Sequence, residues 1–156
     1  MNRPILIPLD GSRLAEQVLP HIKALVECQG AEIHLLSVAP VIDNVAASMM
    51  LYPLYVYREQ LADEGAERKR IETELTNYLQ GIARDLEQAG ASARCVVRFG
   101  SPADEILSYA SEHEIQLIAM CTHGRSGLAR WAYGSVADRV LRASSCPVLL
   151  VRAVIK

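Results

Sequence analysis

The stretch Ile115-Gln116-Leu117-Ile118-Ala119-Met120-Cys121-Thr122-His123-Gly124-Arg125-Ser126-Gly127, continued to Tyr133 and closed by Gly134-Ser135-Val136, decides the fold class. The residues from Ile115 to Met120 are almost free of polar side chains, which predicts a strand buried on both faces. A glycine-punctuated loop follows, and from Gly134 the apolar positions Val136, Val140 and Leu141 recur at helical spacing to about Ser144. Strand, glycine loop and helix in direct succession form the unit from which parallel α/β sheets are built.

The same grammar holds on both sides. Upstream, Ile5-Leu6-Ile7-Pro8-Leu9 is a short apolar run stopped by the turn cluster Asp10-Gly11-Ser12. Leu14, Val18, Ile22, Leu25 and Val26 then recur at helical spacing up to Gln29-Gly30, and a second strand covers Ile33 to Val38. Val41 to Tyr57 has no clean period and is read as a packed loop or lid. A long helix is expected from about Arg58 to Glu87, ended by Gly90. Ala93 to Arg98 reads as an outer strand, Pro102 to Glu112 as a helix behind a Ser101 cap, and Pro147 to Val151 as the fifth strand. Strict alternation predicts the α/β class: a five-stranded, doubly wound parallel sheet with helices on both faces. In such sheets ligands bind beyond the carboxyl ends of the strands, where the strand order reverses.

Composition narrows the function. A chain of 156 residues with ordinary apolar content (51%) is long enough to fold as one domain, residues 1–156, without disulfide or metal staples. A net charge of −2 gives no excess of cations for a nucleic-acid backbone or an anionic membrane. The first apolar run meets Asp10 too early for a signal-peptide core, and no later run has membrane-spanning length, so a cytoplasmic location is expected. Cys28, Cys95, Cys121 and Cys146 have neither C-x-x-C spacing nor zinc-ligand partners and are expected as free thiols. Cys121 follows one strand and Cys146 precedes the next, which places them about 15 Å apart in a parallel sheet.

The loop after the fourth strand is the candidate site. Gly124, Gly127 and Gly134 let an anion approach backbone N–H groups, a helix beginning at Ser135 adds free amides and a positive dipole end, and Arg125 and Arg130 add mobile charge. A purely structural reading is also open: turn glycines, with Ser135 as an N-cap in a capping-box spacing to Asp138. Asp10 likewise admits two roles, a turn residue that starts the next helix or a functional carboxylate at the end of a central strand. Neither a Walker loop nor a dinucleotide G-x-G-x-x-G is present, and Gly124-Arg125-Ser126-Gly127 is one residue short of a nucleophile elbow.

Ile5 to Ser12, Gly100-Ser101-Pro102-Ala103, Thr122 to Leu128, Gly134-Ser135-Val136-Ala137 and Cys146 to Val151, in this order, resemble the universal stress protein family over nearly the whole chain. The resemblance implies a Rossmann-like sheet of the adenine nucleotide α-hydrolase type with strand order 3-2-1-4-5 and a site between the first and fourth strands. It implies ATP, or ADP or AMP, as ligand, with Mg carried by the nucleotide near Asp10. Val38 would offer its main chain to adenine, and Gly124, Arg125, Gly127, Gly134 and Ser135 would surround the phosphates. Pro8, Leu9, Met120, Thr122, His123 and Val136 complete the candidate set. Cys121 stands where the family's ATP-binding pattern has its first glycine; were positive φ required there, the Cβ would cost about 1–2 kcal/mol. The resemblance also implies a homodimer through Pro147 to Val151, a strand edge that the tail Ala153 to Lys156 could alternatively cover. With no general base or acidic pair in view, the expectation is a nucleotide-binding stress-response switch with at most slow ATPase activity. The alternative is a homodimeric interaction module that binds no nucleotide.

Overall fold

The computed structural model describes residues 4–29, 31–41, 54–122 and 134–154. Five parallel strands form one sheet in the order β3-β2-β1-β4-β5. They are β1 (Pro4–Pro8), β2 (Glu32–Ala39), β3 (Ser92–Phe99), β4 (Leu117–Thr122) and β5 (Val148–Arg152). The helices are α1 (Leu19–Gln29), α2 (Leu54–Gln88), α3 (Pro102–Glu112) and α4 (Ser135–Ala143), with a 3-10 turn at Ala15–Val18 before α1.

The sheet is apolar on both faces because each face is covered by helices. On one face Ile5, Ile7, Ile33, Leu35, Ala119 and Cys121 pack against Val18, Ile22 and Val26 and against Leu79, Ala83 and Leu86 of α2. On the other, Leu6, Leu36, Ile118 and Met120 pack against Ala103, Ile106, Tyr109 and Ala110 of α3 and Ala137 and Val140 of α4. The chain leaves β1 for β2 and β3, then crosses back so that β4 lies on the other side of β1, with Ile5 beside Leu117 and Leu6 beside Ile118. The reversal of strand order therefore falls between β1 and β4.

Several local expectations change. β4 starts at Leu117 and runs on through Cys121 and Thr122, which pair with Val151 and Arg152 of β5, so the fifth strand also extends to Arg152. Positive φ outside glycine, among the described residues, is confined to Glu114. Cys121 is thus an ordinary strand residue and carries no left-handed strain. The first helix is split: Pro20 lacks an N–H and cannot donate to Glu16, which favours a 3-10 turn before α1. α2 begins at Leu54, so 54–57, expected in the loop, are helical, whereas residues 42–53 lie outside the described residues. The helix passes through Gly65 unbroken and closes as expected at Gly90, whose φ of 97° lets Ala91 N–H reach the Leu86 carbonyl.

The described part of the tail, Ala153 and Val154, turns to the α1 side of the sheet, and 155–156 lie outside the described residues. Ala153 is buried on the α1 face, and Val154 exchanges two hydrogen bonds with the Gln17 side-chain amide, at 3.1 and 2.8 Å. Among the described residues β5 pairs with β4 alone. Cys95, Cys121 and Cys146 are free thiols. No described helix is long and apolar enough to cross a membrane.

Candidate functional site

The end of β1 is held from β2. Leu9 N–H donates to the Leu36 carbonyl at 2.8 Å, and the Ser37 hydroxyl donates to the Leu9 carbonyl at 2.7 Å. These two bonds fix the chain at the point where Asp10 leaves the sheet. The turn beyond is built locally: Ser12 N–H donates to Asp10 Oδ1 at 2.9 Å, and Ala15 N–H donates to Ser12 Oγ at 3.1 Å. Gly11 supplies the φ of 81° that this turn needs. Both readings of Asp10 are therefore compatible: one carboxylate oxygen shapes the turn while the residue lines a cleft.

That cleft, about 270 Å³, opens above the carboxyl ends of β1 and β4. Pro8, Leu9, Asp10, Val38, Met120, Gly134, Ser135 and Val136 all line it, so these candidates from three strands and a helix come together. Thr122 is buried at the end of β4 and is not part of the lining. His123, Gly124, Arg125 and Gly127 lie outside the described residues.

The N-terminus of α4 lines the same cleft as the β1 end. Gly134 caps it with no side-chain hydrogen bond, and the first bond of the helix runs from Asp138 N–H to the Gly134 carbonyl at 2.9 Å. Ser135 is the first helical residue rather than the cap, and Asp138 pairs with Arg142 instead of closing a capping box. The amides of Ser135, Val136 and Ala137 therefore precede the first helical bond and concentrate positive potential on the cleft. An ion pair between Arg139 and Asp104 ties α4 to α3.

Sequence reading missed the apolar walls. Ala15, Leu36, Pro102, Ile106, Cys121 and Ala137 also line the cleft. Pro102 had a signal, since it begins the helix that follows β3 at the sheet's upper edge. Leu36 and Ile106 had none, because a core residue and a cleft-wall residue look alike in sequence. Cys121 is buried, and burial pushes its thiol up, against a smaller opposing effect of the Val18 backbone. It is a neutral, wall-forming side chain at neutral pH. Among the described residues the cleft offers apolar walls, one carboxylate and helix-start amides with no described hydrogen-bond acceptor. It suits a ligand with an aromatic body and an anionic end.

The family model described as "Universal stress protein family" matches residues 1–152. Universal stress protein MJ0577 of Methanocaldococcus jannaschii is 27% identical over 155 residues, covering 97% of this chain and 96% of its own. Its solved structure superposes with a TM-score of 0.78 over 100% of this chain and 99% of that one. Universal stress protein YxiE of Bacillus subtilis is 31% identical over 152 residues, covering 97% of this chain and 100% of its own. A universal stress protein from Archaeoglobus fulgidus, solved in complex with dAMP, shares the fold at a TM-score of 0.62 and 18% identity, over 95% of this chain and 96% of that one. With strand order, switch-point cleft and a match over residues 1–152 in agreement, the chain belongs to the universal stress protein family.

Proposed function

We propose that this chain, working as a single domain, binds an adenine nucleotide in the β1/β4 cleft and acts as a cytoplasmic stress-response switch rather than as an enzyme. The observation that carries this reading is that the N-terminus of α4, which has no side-chain cap among the described residues, lines one cleft together with Asp10, Val38, Met120 and Ile106. An adenine ring suits the apolar walls, and phosphates suit the helix-start amides. The dAMP complex of the fold neighbour lends support, as does a second universal stress protein structure in complex with cAMP, at a TM-score of 0.65. ATP is the proposed ligand, with ADP and AMP as its competitors. Asp10 is the one carboxylate in the described lining, so Mg would arrive with the phosphates and meet Asp10 there. Hydrolysis needs a positioned water and charge stabilisation at the γ-phosphate, and a single carboxylate already shaping a turn is a poor apparatus for it.

Mass spectrometry of small molecules released by denaturing the purified protein, followed by calorimetry with Mg-ATP, ADP and AMP, tests the reading. A co-purified adenine nucleotide, or saturable binding lost in Asp10→Ala, is the expected result. No released nucleotide and no heat of binding would leave the protein-contact module as the better account. Turnover of many ATP per minute, abolished in Asp10→Ala, would make it an enzyme.

A homodimer is a second part of the reading, supported by the outer edge of β5. The half-buried run Val148 to Val151 has β4 on one side and no described partner on the other. Sedimentation of a monomer at micromolar concentration would rule it out.

A further inference from the structure

The segment from Asp10 to Glu16, which lines the cleft at Asp10 and Ala15, is held by bonds within its own few residues, from Ser12 N–H to Asp10, Ala15 N–H to Ser12 Oγ, and Glu16 N–H to the Ser12 carbonyl. Its side-chain tie to α2 is Tyr78, whose hydroxyl donates to Glu16 Oε1 at 2.9 Å. The same hydroxyl lies within the influence of the Asp10 carboxylate and the Gly11 N–H. Burial, then the Glu16 carboxylate, push the phenol well up, so it stays protonated and keeps donating at neutral pH.

Tyr78 also marks a boundary along α2. Leu79, Ala83 and Leu86 below it are buried in the core, whereas the described side chains from Glu64 to Asn77 are exposed or half-exposed. At 35 residues α2 is far longer than the strands it covers. Tyr78 is where the helix leaves the core, and it is there that the helix meets the Asp10–Glu16 segment.

We infer that Tyr78 is a positioning residue for the cleft: by donating to Glu16 it seats the Asp10–Glu16 segment on α2, coupling ligand occupancy to the order of the α2 turns above it. The coupling rests on the nucleotide reading of the cleft; the clamp itself does not.

The test compares Tyr78→Phe, Glu16→Ala and Glu16→Gln with the parent protein, using Mg-ATP calorimetry and amide hydrogen exchange. Tyr78→Phe and Glu16→Ala should weaken Mg-ATP binding about three- to tenfold, the worth of one hydrogen bond, while Glu16→Gln, whose amide oxygen still accepts, stays within about twofold. Mg-ATP should slow exchange at residues 69–77 in the parent and not in Tyr78→Phe. Without ligand, amides 11–14 should exchange faster in Tyr78→Phe. Equal exchange at 11–14 overturns the clamp. Equal affinity, equal protection of 69–77, or an equal loss of affinity in a Leu86→Ala control of matched melting temperature overturns the positioning role. If the parent protein does not bind Mg-ATP, the nucleotide reading and the coupling both fall, and the ligand-free exchange at 11–14 still decides the clamp.

Discussion

Ser37 of β2 donates its hydroxyl hydrogen to the Leu9 carbonyl at 2.7 Å, in a fully buried contact one residue before Asp10. A strand-interior serine is thus spent on holding the end of its neighbour strand. Replacing it with alanine leaves a buried carbonyl short of a donor. Ser37→Ala should lower stability by about 1–3 kcal/mol in urea denaturation. It should also weaken nucleotide binding, because the Asp10 turn starts from that carbonyl.

On the proposed reading, an acidic side chain placed at the start of α4 would compete with a bound anion for the same amides. Ser135→Asp supplies a negative charge at the first helical position, where the side chain is exposed. The ligand-free protein should gain about 0.3–1 kcal/mol at low salt. Mg-ATP affinity should fall at the same time. Stability and affinity moving in the same direction would count against the anion-binding role of this helix end.

The buried His34 ring sits between Glu32 and Tyr109, with Nε2 3.0 Å from Glu32 Oε1 and Nδ1 2.8 Å from the Tyr109 hydroxyl. A carboxylate can only accept, so Nε2 carries the hydrogen, and in the neutral tautomer Nδ1 then accepts from the Tyr109 hydroxyl. Tyr109→Phe removes the hydroxyl bonded to Nδ1 inside the α3 face of the core. A loss of about 1–3 kcal/mol is expected in thermal or urea unfolding, with the sheet order unchanged.

Stability should fall on the alkaline side. Burial pushes Cys121 up, and Cys95 is pushed up by burial and then by the Glu87 charge. Tyr109 is raised mainly by burial, as is Tyr78. In the unfolded chain the thiols ionise near 9.0 and the phenols near 10.0, while the folded protein still holds these protons. Their contribution is thus complete below pH 9 and is lost as pH rises through the folded values. Urea midpoints from pH 8 to 10.5 should decline progressively. A midpoint that is flat or rises across this window contradicts the assignment. At pH 8, Cys95 and Cys121 should react with a thiol reagent far faster after unfolding than before.

The layered α/β architecture was legible because buried parallel strands are written as apolar runs, and Ile5 to Leu9, Ile33 to Val38 and Pro147 to Val151 each lie within about a residue of the observed strands. Strand order came from family resemblance, since periodicity does not say which strand is whose neighbour. The end of β4 was misplaced because Cys121-Thr122 read as the start of a glycine loop. What keeps those two residues in the strand is their pairing with Val151 and Arg152, a tertiary constraint absent from local sequence. Asp10, Val38 and the Gly134–Val136 helix start were visible as strand-end and loop residues. The Tyr78–Glu16 bond and the His34–Tyr109 pair were not, because their partners lie 62 and 75 residues apart and each side chain alone resembles an ordinary amphipathic-helix or strand residue.

The pairing of Ile5 with Leu117 sets a schedule. Asp10 is among the first parts of the cleft to be synthesised, yet the strand that completes its floor arrives roughly 110 residues later, and α4 later still. At ribosomal speeds of about 5–20 residues per second, several seconds separate the synthesis of β1 from that of its second neighbour, whereas β2 follows it closely. The site cannot exist on a nascent chain that stops before α4. Its lining is complete only when β4 has closed the reversal of strand order and α4 has followed.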